Sequence, residues 1–131
     1  MMMCAEHTVI VIRDAEDSIY GGYADIAWES SGASLASSVA FLFCLVSSKN
    51  ADVQPFKMAL NGTNNGSAIR CNAGGGPAFG GPGAWNMGVE SDGRVFNVIG
   101  STYAPGAPGS TLSRTSPVAC TVMEVWQLAD A

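Results

Sequence analysis

Charge is scarce in this chain, and histidine is scarcer still. Asp, Glu, Lys and Arg together make up 13% of the 131 residues, and His7 is the single histidine. A histidine-based catalytic triad would have to use His7, and no G-x-S-x-G sequence presents a nucleophilic serine beside it. The four cysteines, Cys4, Cys44, Cys71 and Cys120, are dispersed and form no C-x-x-C pair. With one histidine available, they supply neither a zinc ribbon, a dithiol redox motif nor a zinc hydrolase or deaminase centre. Long apolar runs are also missing: Val39 to Val46 falls far short of the roughly 20 residues that a membrane-crossing helix needs. The start, Met1-Met2-Met3-Cys4-Ala5-Glu6, lacks the basic and apolar regions of a secretory signal. A soluble, cytoplasmic protein with no membrane span is therefore expected. Six basic residues against eleven acidic ones give a net charge of -5, which disfavours nucleic acid and favours basic partners.

What is abundant is apolar and glycine-rich sequence. Apolar residues reach 47% of the chain, enough for the buried core of one domain over residues 1–131. Residues 1–6 are expected to be a mobile start, leaving Cys4 as the cysteine best placed to react. Cys44 and Cys120 lie in apolar stretches, where a thiol acts as a small hydrophobe. Extended runs with turn signals between them predict about eight short strands. Thr8 to Ile12 is mostly β-branched and reads as a buried strand, turned by Asp14 to Ser18 into Ile19-Tyr20; that acidic reversal is expected to be a solvated turn. Gly21-Gly22 marks a bulge or a close approach of backbone. Ser30 to Ser38 could hold a short helix or a turn. Val39 to Val46, bulky at both parities, is expected to be a central strand covered on both faces. Gln54 to Leu60 and Ser67 to Asn72 are expected to form a hairpin through the Asn-Gly-rich residues 61–66, whose Asn-Gly-Thr and Asn-Gly-Ser triplets read as turns. Asp92-Gly93 predicts a further reversal, Ser101 to Pro117 a surface loop, and Ala119 to Leu128 a closing strand. No β-helix-β pattern recurs. The fold class is thus mainly β (α+β by a strict count): a two-layer antiparallel β-sandwich, or partly closed barrel, with short peripheral helices.

The glycine-rich run Gly74 to Gly83 invites comparison with phosphate-binding loops. It fails: Gly81-Pro82 stands where a Walker loop needs Lys-Ser/Thr, the G-x-G-x-x-G spacing is absent, and Pro77 and Pro82 lack N–H donors. The run is expected to shape backbone, with Phe79 as its anchor. Asp25, Glu29, Asp92 and Glu124 are the carboxylates that could serve a hydrolase, but only their separation in space would decide it. Glu124, in an apolar strand just before Trp126, is expected to face solvent or to pair with Arg13 or Arg70. No complete catalytic motif emerges and no cofactor or metal is expected.

Four segments in order, Tyr20-Gly21-Gly22-Tyr23 with Trp28, Ala40 to Leu45, Gly76-Pro77-Ala78-Phe79-Gly80-Gly81, and Glu124-Val125-Trp126, resemble the TLDc family. The likeness runs from Thr8 to Leu128. TLDc domains usually carry further helical and strand sequence ahead of the stretch that Thr8 to Arg13 resembles, so this chain reads as a short variant or a fragment, with a sheet edge open where that portion would lie. The resemblance implies two antiparallel sheets with outer helices, a non-catalytic role in eukaryotic oxidative-stress resistance, and binding to the vacuolar proton-pumping ATPase. It marks Tyr20, Gly21, Gly22, Tyr23, Trp28, Gly76, Pro77, Phe79, Gly80, Gly81, Glu124 and Trp126 as fold-signature positions.

Two further readings compete with a regulatory protein-binding module. In the first, Trp28, Trp85 and Tyr103 beside polar loops stack against a sugar or small ligand, with Glu29 as a further contact. In the second, the domain is a structural part of a larger assembly, joined through a sheet edge.

Overall fold

Alternation along the first strand sets the inside of the molecule. Thr8, Ile10, Ile12 and Asp14 are buried while Val9, Val11 and Arg13 are not, the two-residue period of a strand with one face on a core. The computed structural model describes residues 7–27, 34–46, 55–60, 68–71, 77–80, 87–89, 92–97, 103 and 118–128. These hold ten strands: β1 (Thr8–Asp14), β2 (Ile19–Ala24), β3 (Ser34–Leu35), β4 (Phe41–Val46), β5 (Phe56–Ala59), β6 (Ile69–Cys71), β7 (Pro77–Phe79), β8 (Met87–Val89), β9 (Arg94–Asn97) and β10 (Val118–Gln127). All belong to one sheet in the order β3-β6-β7-β8-β9-β10-β1-β2-β4-β5. Every pairing is antiparallel.

This corrects the two-sheet sandwich with outer helices. The described residues contain no helix, and a single ladder runs from β3 to β5 without closing into a barrel. The physical reason lies in β10. Its first residues pair with β9 (Val118↔Val95, Ala119↔Arg94), and the rest pair with β1 from Asp14↔Cys120 to Thr8↔Gln127. Between Cys120 and Val122 the register slips by one residue, so Thr121 is an extra residue opposite β1. Such a bulge bends a strand. It lets one strand serve both halves, and the ladder stays continuous where two sheets were expected.

The halves share one core. Ile10, Ile12, Tyr20, Leu42, Cys44 and Met58 from β1, β2, β4 and β5 cluster with Ile69, Phe79, Met87, Val95 and Tyr103 from the other half. Gly22 shows why the glycine pair is needed. A Cβ there would lie 2.5 Å from Phe79 Cζ, and one at Gly21 would collide with the Ile10 carbonyl oxygen. The glycines mark a close approach, while the irregularity in β2 falls at Ile19/Tyr20.

Other expectations need correction. β4 is not central but next to the terminal strand β5. Only its core-facing Leu42 and Cys44 are buried; Phe41 and Phe43 are half-buried, and Leu45 and Val46 are exposed. On its outer face Phe41 packs beside Tyr23 of β2, with ring centroids 5.4 Å apart. β5 and β6 do not pair; β5 lies against β4 and β6 against β3 and β7. Residues 61–66, which were to join them, lie outside the described residues, as do residues 1–6 and Cys4. Of the segment that could hold a short helix, Ser34–Leu35 pairs with Arg70 and Ile69 as a strand. Ser37 Oγ then accepts the N–H groups of Val39 (3.1 Å) and Ala40 (2.9 Å). That side-chain turn competes successfully with a helix.

The acidic reversal is likewise not simply solvated. Asp14 is buried, and its Oδ1 accepts N–H bonds from Glu16 (2.9 Å) and Ser18 (3.1 Å). An Asp placed two residues before a turn N–H folds over it in this way, which draws the carboxylate inward. Asp17, at φ 66°, pairs on the surface with Arg13.

Candidate functional site

The sequence signature gathers at two places of opposite character. The first is inside. Phe79, from the strand that the glycine-rich run forms, has its ring over Gly22 and meets Tyr103 edge-on at 6.2 Å. Tyr103 is fully buried, and its hydroxyl donates to the Ala68 carbonyl at 2.7 Å. The same carbonyl accepts the Gly80 N–H at 3.0 Å. Gly80 itself has φ 91°, a conformation that favours glycine. Tyr20, Gly21, Gly22, Pro77, Phe79 and Gly80 are all buried, so these positions build the joint between the halves. Burial raises the Tyr103 hydroxyl far above its ordinary pKa. A residue held so deeply offers no surface to a ligand or partner, and the contact expected of Tyr103 is corrected accordingly. A lone tyrosine in a Gly/Pro/Ser-rich stretch gave no periodicity by which its burial could be read.

The second place is outside. Tyr23 is half-buried, with its hydroxyl 3.1 Å from His7 Nδ1. Glu124 and Trp126 stand exposed on β10, joined by a 3.4 Å hydrogen bond from Trp126 Nε1 to Glu124 Oε1. Glu124 faces solvent, one of the two alternatives expected for it. It makes no ion pair with Arg13, which holds Asp17 instead. Trp28, Glu29, Gly76, Gly81 and Trp85 lie outside the described residues.

What sequence reading missed is the concentration of apolar surface here. Val122, Met123, Val125, Trp126 and Leu128 are all among the exposed large hydrophobic residues, Trp126 most so at 58%. An apolar strand reads as a buried one; only the sheet order reveals that this strand outruns its neighbour. The face of β10 that carries Val122, Trp126 and Leu128 continues across β1 and β2 as Val9, Val11 and Tyr23 to Phe41 and Phe43, while Met123 and Val125 stand opposite Ile12 and Ile10; Lys57 Nζ sits 4.3 Å from the Phe41 ring centroid.

Reactive chemistry is scant around either place. Among the described residues no three His, Cys, Asp or Glu side chains come together as a metal site would require. Asp25 is held by the Ser37 hydroxyl, which donates to its Oδ1 at 2.7 Å, and lies on β2's end of the sheet, not beside Glu124. Burial pushes the Cys44 thiol up to about 11, with the Asp14 carboxylate adding to the rise, and burial raises the Cys120 thiol too. Thiols so placed are poor nucleophiles at neutral pH. No helix of the described residues is long and apolar enough to cross a membrane.

A search of curated proteins finds no match to the chain. The family model described as the TLDc domain matches residues 1–129; the chain therefore belongs to the TLDc family, whose domains are generally non-catalytic.

Proposed function

We propose that this chain is a regulatory module that acts by binding other proteins, in the cytoplasm of a eukaryotic cell, and that its target is the vacuolar proton-pumping ATPase. The family match over residues 1–129 carries the reading. Oxidative-stress resistance is then an indirect consequence of the regulated partner, since the Cys44 and Cys120 thiols are raised in pKa and do not suit direct peroxide chemistry. Exposed apolar side chains from Val122 to Leu128 supply the kind of surface that protein binding uses.

Affinity capture from a eukaryotic lysate tests the proposal. Enrichment of proton-pump subunits on the immobilised chain, under conditions where a longer family member also captures them, is the expected result. Their absence alongside capture by the longer member would overturn the pump assignment. Survival of cells under peroxide, with and without the expressed chain, tests the stress role separately.

A further inference from the structure

The ladder geometry tells which backbone groups of β10 face away from β1. The Leu128 N–H bonds to the His7 carbonyl at 2.8 Å, and the register pairs Thr8 with Gln127, Ile10 with Val125 and Ile12 with Met123. In an antiparallel ladder the bonded pairs alternate, so Val122, Glu124, Trp126 and Leu128 turn their N–H and C=O groups to β1. Met123, Val125 and Gln127 turn theirs the other way. On that side β9 has already ended: its last contact is the Cys120 N–H on the Gly93 carbonyl at 2.9 Å. Among the described residues no strand pairs with β10 beyond it.

Edges of this kind are usually blunted by brevity, lysine, proline or bulges. β3 has two residues, and β5 has four with Lys57 among them. β10 after its bulge has neither lysine nor proline and a single charge, Glu124. Exposed apolar side chains flank it on both faces of the strand. The charge decides between occupants. A second copy of the chain would bring another -5, and β10 carries no cation to set against Glu124. A foreign strand with a basic side chain on that face would meet both the apolar row and the carboxylate.

We propose that the free edge Met123–Gln127 of β10 docks an extended segment of a partner protein, which adds as one more strand, alternates apolar residues, and presents a lysine or arginine opposite Glu124. This rests on the reading of the chain as a protein-binding module and names the surface used. Backbone bonds to Met123, Val125 and Gln127 hold the segment, the side chains of Val125 and Trp126 grip it, and Glu124 selects its charge.

Hydrogen exchange tests this on the whole chain, with an octapeptide of alternating valine and threonine carrying one central lysine, and a second peptide with glutamate in its place. The lysine peptide is expected to protect the Met123, Val125 and Gln127 amides and to shift Trp126 emission to the blue. Substituting glutamate should weaken binding about 3- to 10-fold, the scale of an exposed charge pair made attractive or repulsive, and Glu124→Lys should reverse the preference. Val125→Pro removes an outward N–H without touching the β1 ladder, so circular dichroism should hold while peptide binding is lost. Equal binding of both peptides, no protection at the three amides, or protection already present without peptide would overturn the proposal; light scattering then separates a dimer from a covered monomer. If Val125→Pro still captures proton-pump subunits as well as the parent chain, the edge is refuted while the proposed function stands.

Discussion

The sharpest internal test is the contact between Gly22 and Phe79. An alanine at 22 would place its Cβ 2.5, 2.7 and 2.9 Å from Phe79 Cζ, Cε2 and Cε1, where ordinary contacts are about 3.5–4.0 Å. The ring cannot retreat easily, because Phe79 is fully buried and lies edge-on to Tyr103. Overpacking costs about 1–3 kcal/mol. Against this, replacing a strand glycine by alanine gains roughly 0.5–1 kcal/mol of backbone entropy. Gly22→Ala is therefore expected to destabilise by about 1–2 kcal/mol, read as a lower urea midpoint at unchanged slope. Phe79→Leu alone opens space and also destabilises, but it removes the ring atoms in the way. In the double variant the two losses should fall short of their sum by about 1 kcal/mol, within the range of contacting pairs. Additive losses, or a more stable Gly22→Ala, would refute the joint as described. Gly21→Ala supplies the contrast: its obstacle is the Ile10 carbonyl, so trimming Phe79 should rescue nothing.

Three further outcomes are expected. Tyr103→Phe should cost only about 1 kcal/mol in chemical denaturation, because the Ala68 carbonyl keeps the Gly80 N–H; a loss above about 3 kcal/mol would contradict that. Ser37→Ala strips the acceptor from the Val39 and Ala40 N–H groups and should cost about 1–3 kcal/mol, with Ala40 exchanging faster by NMR; unchanged stability would dismiss the turn. Cys44 has a folded pKa of about 11 against 9.0 for a free thiol, so at pH 8 its thiolate fraction is about 100-fold lower and alkylation, followed by mass spectrometry, should be correspondingly slow. Since the folded value is the raised one, its stabilisation is complete below about pH 9 and is lost as pH climbs towards 11; a denaturation midpoint that rose across that window would reverse the assigned sign.

The strands themselves were largely legible, and their arrangement was not. The run of β-branched residues marked β1, though not that only one of its faces is buried; Asp92-Gly93 marked the turn between β8 and β9 with Gly93 at φ 84°, and the bulk of Phe79 marked it as an anchor. Each of these signals is local. Which strands become neighbours depends on contacts between distant residues. An apolar β4 therefore looked central, and β5 and β6 looked paired across their Asn-Gly connection. A one-residue slip at Thr121 leaves no mark in composition, yet it decides that one sheet forms where two were expected. The candidate site was half legible for the same reason. Glu124 and Trp126 stood out by type, whereas their exposure follows from β9 ending beside Cys120.

The pairing of β1 with β10 also sets a timetable during synthesis. Roughly a hundred residues separate Asp14 from Val118, and ribosomes extend a chain at about 5–20 residues per second. For some 5–20 s of translation, β1 has β2 available on one side and no β10 on the other, its Val9, Val11 and Arg13 backbone groups open to whatever else is nearby. The two halves can collapse about their apolar residues in that interval but cannot be stitched into one sheet. A chaperone that occupies the vacant side of β1 until β10 emerges would raise the yield of native protein without altering its stability.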